Sequence, residues 1–297
     1  MPMNGVYDFT WRFANGLFPT TVCGIRIVAP RPNNVDKPCF LIKNRPLICT
    51  DNFLTPHSTA LSWTMQVDHE PNEGEYTVEN VGKIFWAGQG QAYPNYGTTK
   101  ARRLFELQYV MHRLEQMSNP PTTLADVGCG TGATVTILRE LTDIQKYFCY
   151  DISAGMTSTI DTRSVRGSDV EVAILDLTNL SLDFTFPEVD LILCFGVFQC
   201  LSDSTVKKVL KALRGKSLLL RDACYLPHEG RKNINTYSKQ LCAQYACHYR
   251  TLSEYISLCT DSGWNLLDIR RAFPDSIESD YGTKQWFLHL QNSELSR

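Results

Sequence analysis

The sequence predicts an α/β protein: a seven-stranded, doubly wound sheet over residues 81–297, preceded by a small β-rich region over residues 1–80. Three observations carry this. The apolar run Leu124-Ala-Asp-Val127 leads directly into Gly128-Cys-Gly-Thr-Gly132. Nineteen residues after the last of those glycines, closing the apolar run Tyr147–Tyr150, stands Asp151. Beyond it, strand-length apolar stretches alternate with helix-period stretches, the order that a parallel sheet with crossover helices requires.

In residues 1–80, short apolar stretches (22–28, 39–42, 46–49 and 60–67) are separated by Pro, Asn and Asp, which suits short strands and turns. The polar stretch 68–75 reads as a linker or exposed turn. From Thr98 to Met117, Leu104, Leu107, Met111 and Leu114 recur at three or four residues before Pro120-Pro121 ends the segment, the signature of an amphipathic helix. Strands follow at 123–127, 146–150, 170–175, 191–195, 217–221, 265–270 and 285–290, with helices near 133–141, 154–162, 204–213 and 252–263.

A net charge of −2 gives no global pull toward nucleic acid or an anionic membrane. The charge is uneven, however: residues 201–250 hold ten Lys or Arg against three acids. This stretch is either a solvated face or a docking place for an anionic acceptor. The eleven cysteines are scattered, without a C-x-x-C or H-x-x-x-H spacing, so neither a metal nor a disulfide framework is expected. With no leader-like start and no apolar run near eighteen residues, reduced thiols in a cytoplasmic or equivalent compartment are expected, and no membrane partner.

Three glycines in a strand-to-helix turn let a ligand approach main-chain N–H groups where a Cβ would collide. The same turn suits a dinucleotide if Ala133 takes the third small position. Asp126 argues against that, because a carboxylate just before the first glycine suits an ammonium group, and no second nucleotide-binding half follows.

Asp126-Val-Gly128-Cys129-Gly130-Thr-Gly132 resembles the first motif of class I S-adenosylmethionine-dependent methyltransferases, a Rossmann-like family, and the resemblance extends over about residues 85–290. It implies that this loop passes the amino-acid end of S-adenosylmethionine and that Asp151 holds both ribose hydroxyls. It further implies that Asp176 and Leu177 flank the adenine, and that Asp190–Leu201, with Phe195 and Gly196 at the strand exit, lines the methionine side. Upstream, Phe85-Trp86-Ala-Gly-Gln-Gly-Gln-Ala-Tyr93 is similar to a lid segment of some small-molecule and sugar-associated methyltransferases. That makes Trp86, Tyr93 and Tyr96 expected pocket walls, with Tyr93 a candidate catalytic residue. His228 and His248 are the histidines expected at the mouth of the sheet and the candidate general bases. His248-Tyr-Arg-Thr-Leu-Ser-Glu-Tyr255 resembles a step that leads into a helix in such enzymes, where Arg250 serves as an anchor rather than an acceptor contact.

These readings imply methyl transfer to an O or N atom of a small-molecule acceptor. Two alternatives stand beside it. One is an RNA cap guanine-N7 methyltransferase, possible for a viral chain; ribose 2′-O transfer is disfavoured because Arg221-Asp222 follows the fifth strand with no lysine. The other is an inactive module that keeps the cofactor pocket and works through residues 1–80.

Overall fold

The computed structural model describes residues 77–88, 100–181, 183–225, 230–238, 243–278 and 283–294, together with four short strands in the N-terminal region. The chain divides into two compact units, 1–68 and 69–297. In the first, β1 (Val6–Asp8), β2 (Arg26–Val28), β3 (Phe40–Ile42) and β4 (Arg45–Pro46) form an antiparallel sheet in sequence order. The expected strand at 60–67 lies outside the described residues.

The second unit opens with helices α1 (Val78–Ala87) and α2 (Lys100–Gln116). It continues with β5 (Thr123–Val127), α3 (Ala133–Leu141), β6 (Lys146–Asp151), α4 (Ala154–Thr157), β7 (Asp169–Ile174), β8 (Val189–Phe195) and α5 (Asp203–Ala212). Then come β9 (Gly215–Tyr225), β10 (Lys232–Ser238), β11 (Ala243–Tyr249), α6 (Leu252–Thr260), β12 (Trp264–Arg271) and β13 (Thr283–Asn292). Seven of these strands form one sheet in the order β12-β13-β9-β8-β5-β6-β7. The five from β9 to β7 are parallel, and β13 enters antiparallel between β9 and β12. The chain winds outward from β5 to β7, then returns to place β8 on the other flank of β5. This is a topological switch, and it leaves a crevice at the carboxyl ends of β5 and β8.

Alternating side chains on the central strands feed two cores. Ala125, Ile192, Cys194, Leu218 and Leu220 pack toward Val206, Val209 and Leu210 of α5 and Tyr255 and Leu258 of α6. On the other face Leu124, Leu191, Leu193 and Leu219 pack toward Tyr109 and Val110 of α2 and Leu138 of α3. There the Tyr109 ring stacks on Phe287 with centroids 4.0 Å apart. At the amino-terminal edge, Asp190 Oδ2 accepts the Thr122 and Thr123 N–H groups (2.9 and 3.2 Å) while Oδ1 meets Lys216 Nζ at 2.9 Å, tying β5, β8 and β9 together. Asp190 thus serves the sheet's register at the end opposite the crevice; only the Phe195–Leu201 part of that stretch reaches the mouth.

Two sequence expectations change. The helix expected at 154–162 ends at Thr157, because Thr159 and Ile160 donate to carbonyls three residues back and tighten the chain, turning Ile160 beneath Gly132. Residues 232–249 form an antiparallel hairpin, β10–β11, separate from the main sheet, and α1 packs on it with Phe85 edge-on to Tyr245 at 6.0 Å. The hairpin is fastened at its base, where both strands leave it, by one carboxylate. Arg231, just before β10, makes two 2.8 Å bonds to Asp203 in the first turn of α5, and Arg250, just after β11, donates through Nε to the same side chain at 2.8 Å. The seven described cysteines are free thiols, and among the described residues no helix is long and apolar enough to cross a membrane.

Candidate active site

The crevice floor is the loop from β5 to α3. Gly128 N–H and Cys129 N–H both donate to the Tyr150 carbonyl, at 2.7 and 3.0 Å, which locks the loop to β6. Gly128, Gly130 and Gly132 all have left-handed φ values (82°, 56° and 69°), a conformation that costs other residues energy. Two of them are also sterically obligatory. A Cβ at Gly128 would lie 2.2 Å from Val197 Cγ2, and one at Gly132 would lie 2.9 Å from Ile160 Cγ1. At Gly130 the nearest atom would be Met156 Sδ at 3.8 Å, so this glycine leaves space for something outside the chain.

Asp151 closes β6 beside that space. Its Oδ2 accepts the Gly130 N–H at 2.8 Å and its Oδ1 accepts the Ser153 N–H at 2.9 Å. With the Ile152 N–H also directed at this carboxylate, about one of its four acceptor positions is left open. Burial pushes its carboxyl above the ordinary range, partly offset by the N–H groups of Ser153, Gly130 and Ile152. Asp126 is 6% exposed, and burial, then Asp151 and Glu106, push its carboxyl up to about 7. Glu106 reaches in from α2 and pairs with Arg221 at 2.9 Å. Three acids against one guanidinium, with Asp126 pushed up to about 7 by burial and its acidic neighbours, leave the crevice short of positive charge. A ligand with an ammonium or sulfonium group matches that deficit.

The remaining expected residues ring this crevice or stand apart from it. Phe195 packs edge-on to Phe287 at 5.6 Å, beneath Arg221, and Gly196 turns the chain with φ 78°, its N–H bonded to Arg221 O at 2.6 Å. Asp176 caps the short turn that begins at Leu177. Its Oδ1 accepts Thr178 N and Oγ1 (2.9 and 2.7 Å), and its Oδ2 accepts Asn179 Nδ2 at 2.8 Å and lies 2.5 Å from Lys83 Nζ. Burial works against its charge, but Lys83 and Thr178 outweigh burial and hold it below the usual carboxylate range. Trp86 donates from Nε1 to Cys200 Sγ at 3.2 Å, at the exit of β8. His248 lies on the hairpin with Nδ1 2.7 Å from Asn233 Oδ1; burial, then Arg250 and Arg231, push it down to about 4. Its ring is therefore neutral at pH 7. Tyr93, Tyr96 and His228 lie outside the described residues.

Arg250 is fully buried and donates to the Phe198 and Leu201 carbonyls (2.6 and 2.5 Å) as well as to Asp203, so it anchors the β8 exit. Beneath it lies Asp222, 1% exposed, whose carboxyl burial pushes up to about 7 against the pull of Arg221 and Arg250. Sequence reasoning missed Glu106, Lys83 and Asp222. Glu106 carried a signal: it sits among Phe105, Tyr109 and Val110 on the inner face of α2, where an acid needs a reason. A surface cavity of about 330 Å³ lies elsewhere, lined by Arg139, Gln145, Arg166 and Ser168 near the amino ends of β6 and β7. The Arg139 guanidinium is spent there on Ser168 and the Asp161 and Arg163 carbonyls.

Residues 125–223, the stretch that builds the crevice, match a family model described as a methyltransferase domain. No curated protein sequence matches the chain. Among solved structures, an S-adenosylmethionine-dependent methyltransferase from Leishmania major is 16% identical, with 74% of this chain and 85% of that one covered at a TM-score of 0.54. Magnesium protoporphyrin IX methyltransferase from Synechocystis is 13% identical over 73% of this chain and 98% of that one, at a TM-score of 0.48. An S-adenosylmethionine-dependent methyltransferase from Clostridium acetobutylicum is 15% identical over 64% and 91%, at 0.47. The strand order, the antiparallel β13 and the matched stretch agree: residues 125–223 match a methyltransferase domain, and the sheet around them has the class I, Rossmann-like methyltransferase fold.

Proposed function

We propose that the chain transfers a methyl group from S-adenosylmethionine to an O or N atom of a small-molecule acceptor. The observation that carries this reading is the clustering of Asp126, Asp151 and Glu106 near the glycine loop, with Asp151 accepting the N–H of Gly130, the loop glycine with no close neighbour at its Cβ position. S-adenosylmethionine supplies an electrophilic methyl group on a sulfonium, together with an ammonium and a ribose diol. Asp126 answers the positive charge, and Asp151 offers its remaining acceptor capacity to the diol. Hydrogen bonds of hydroxyls to a carboxylate contribute roughly 1.5–3 kcal/mol each. In this reading Asp176 and Leu177 take the adenine, Phe195 and Gly196 the methionine side, and Trp86 the mouth, with Tyr93 assigned there from the sequence alone.

For the transfer itself, positioning supplies much of the barrier reduction. His248, neutral at pH 7, can take a proton, but a group that titrates near 4 is a weak base; with His228 and Tyr93 it completes the set of candidate proton acceptors. The basic stretch favours a small acceptor over RNA. Of its ten Lys and Arg, Lys207, Lys216, Arg221, Arg231 and Arg250 are paired with the protein's own acids. Free thiols suit a reducing, cytoplasmic compartment.

Calorimetry with S-adenosylmethionine and S-adenosylhomocysteine tests the pocket: Asp151→Ala should weaken binding about 10- to 1000-fold. Unchanged affinity would remove Asp151 from the site. Transfer of a tritiated methyl group to a metabolite panel, and not to capped RNA, is the expected outcome for the acceptor class.

A further inference from the structure

Helix α1 is fastened to the rim at three places. Glu79 Oε1 accepts from Ser202 N and Oγ at 3.3 and 3.4 Å, Trp86 Nε1 donates to Cys200 Sγ at 3.2 Å, and Lys83 Nζ lies 2.5 Å from Asp176 Oδ2. Cys200 and Ser202 follow β8, whereas Asp176 follows β7. Between those two strands in the sheet lie β5 and β6, whose carboxyl ends carry the glycine loop and Asp151. The helix therefore bridges the crevice from its β8 side to its β7 side, and the Lys83–Asp176 pair is its attachment on the β7 side.

Asp176 has no acceptor position to spare. Thr178 N, Thr178 Oγ1, Asn179 Nδ2 and Lys83 Nζ are four donors on a carboxylate that offers about four lone-pair sites. Three of those donors belong to the turn that Asp176 itself caps. Lys83 alone comes from another element, and so it is the donor that can leave without unfolding the turn.

We infer that Lys83 is a latch: it holds α1 across the mouth and occupies the position on Asp176 that the adenine amino group of the methyl donor takes on binding. This rests on the reading of the crevice as an S-adenosylmethionine site. The pair suits exchange, because Lys83 is 36% and Asp176 21% exposed, and ion pairs so placed are weak enough for a ligand to replace.

The experiment compares the full chain with Lys83→Met and Lys83→Arg. It titrates each with S-adenosylhomocysteine at low and high salt and follows hydrogen exchange of residues 78–87 without ligand. The methionine variant should bind about two- to fivefold more tightly at low salt, with the gap closing at high salt, where the wild-type latch is itself screened. Its α1 amides should exchange faster, and the arginine variant should behave as wild type. Equal or weaker binding by the methionine variant, with wild type binding normally, overturns the latch and leaves the methyl-donor reading standing; so does unchanged exchange of α1. A wild-type protein that binds no S-adenosylhomocysteine overturns the donor reading and the competition with it.

Discussion

The glycine-loop crevice and the α1–hairpin assembly meet at the same rim but are built differently. The crevice is made by near neighbours in sequence: Gly128 and Gly130 are tied to Tyr150 and Asp151 about twenty residues on, across two adjacent parallel strands. The assembly is made by distant partners: Trp86 reaches Cys200, and Arg231 and Arg250 converge on Asp203 from 28 and 47 residues away. Local geometry thus fixes the glycine loop and the acid beside it, whereas long-range contacts fix what packs at their rim. The first region tolerates few substitutions in its loop; the second depends on a few buried charges.

The largest expected effect tests the second region. Arg250→Met removes the guanidinium donors to the Phe198 and Leu201 carbonyls and leaves Asp203 and Asp222 under-compensated, so unfolding free energy in urea should fall by about 3–5 kcal/mol. Arg250→Lys should recover little of it, since one ammonium cannot reproduce the fork. A loss below about 1 kcal/mol would show that the hairpin is held by packing instead.

In the crevice, two glycines should separate stability from binding. Gly128→Ala combines a left-handed φ with a 2.2 Å collision and should destabilise by about 2–4 kcal/mol. Gly130→Val meets no such collision; it should cost about 1–2 kcal/mol through φ alone and yet abolish S-adenosylmethionine binding. Retained affinity in the folded valine variant would move the site away from this loop.

The smallest effect sharpens the contrast through pH. Asp126 in the crevice and Asp222 beneath the hairpin exit both titrate near 7, above their unfolded value. Such a carboxyl holds its proton more tightly when folded, so its contribution to stability is greatest at low pH and is lost as pH rises from about 4 through 7. The slope is at most about 1.4 kcal/mol per pH unit for each group. Asp126→Asn and Asp222→Asn should each flatten the stability profile over that range. S-adenosylmethionine should flatten only the share that belongs to Asp126, because only that carboxylate gains a cation, and its affinity should rise as pH passes 7. Ligand that leaves the profile unchanged would separate Asp126 from the cation.

Much of the first region was legible in advance. The glycine spacing, the acid ending β6 and the apolar runs of the seven main strands are local patterns, and local patterns record backbone geometry directly. The β10–β11 hairpin was not among the expected strands, because Asn233, Asn235 and Gln244 blunt its alternation and its support comes from elsewhere. Helix α1 was read only as part of a lid: its inward positions, Val81, Gly82 and Phe85, make sense once β11 and the Phe198–Cys200 turn are present to receive them. Asp176 was expected beside the adenine, but that Lys83 occupies its outward acceptor position is a matter of two segments more than ninety residues apart.

By itself, then, the sequence determined the doubly wound sheet, the left-handed glycine turn and the acid beside it, because each follows from periodicity or from a residue's own conformational range. The tertiary structure decided which carboxylates share the crevice, that Asp126 titrates near 7, and that α1 bridges the mouth. Those outcomes depend on desolvation and on charge pairs formed between distant segments, and such quantities exist only once the chain has folded.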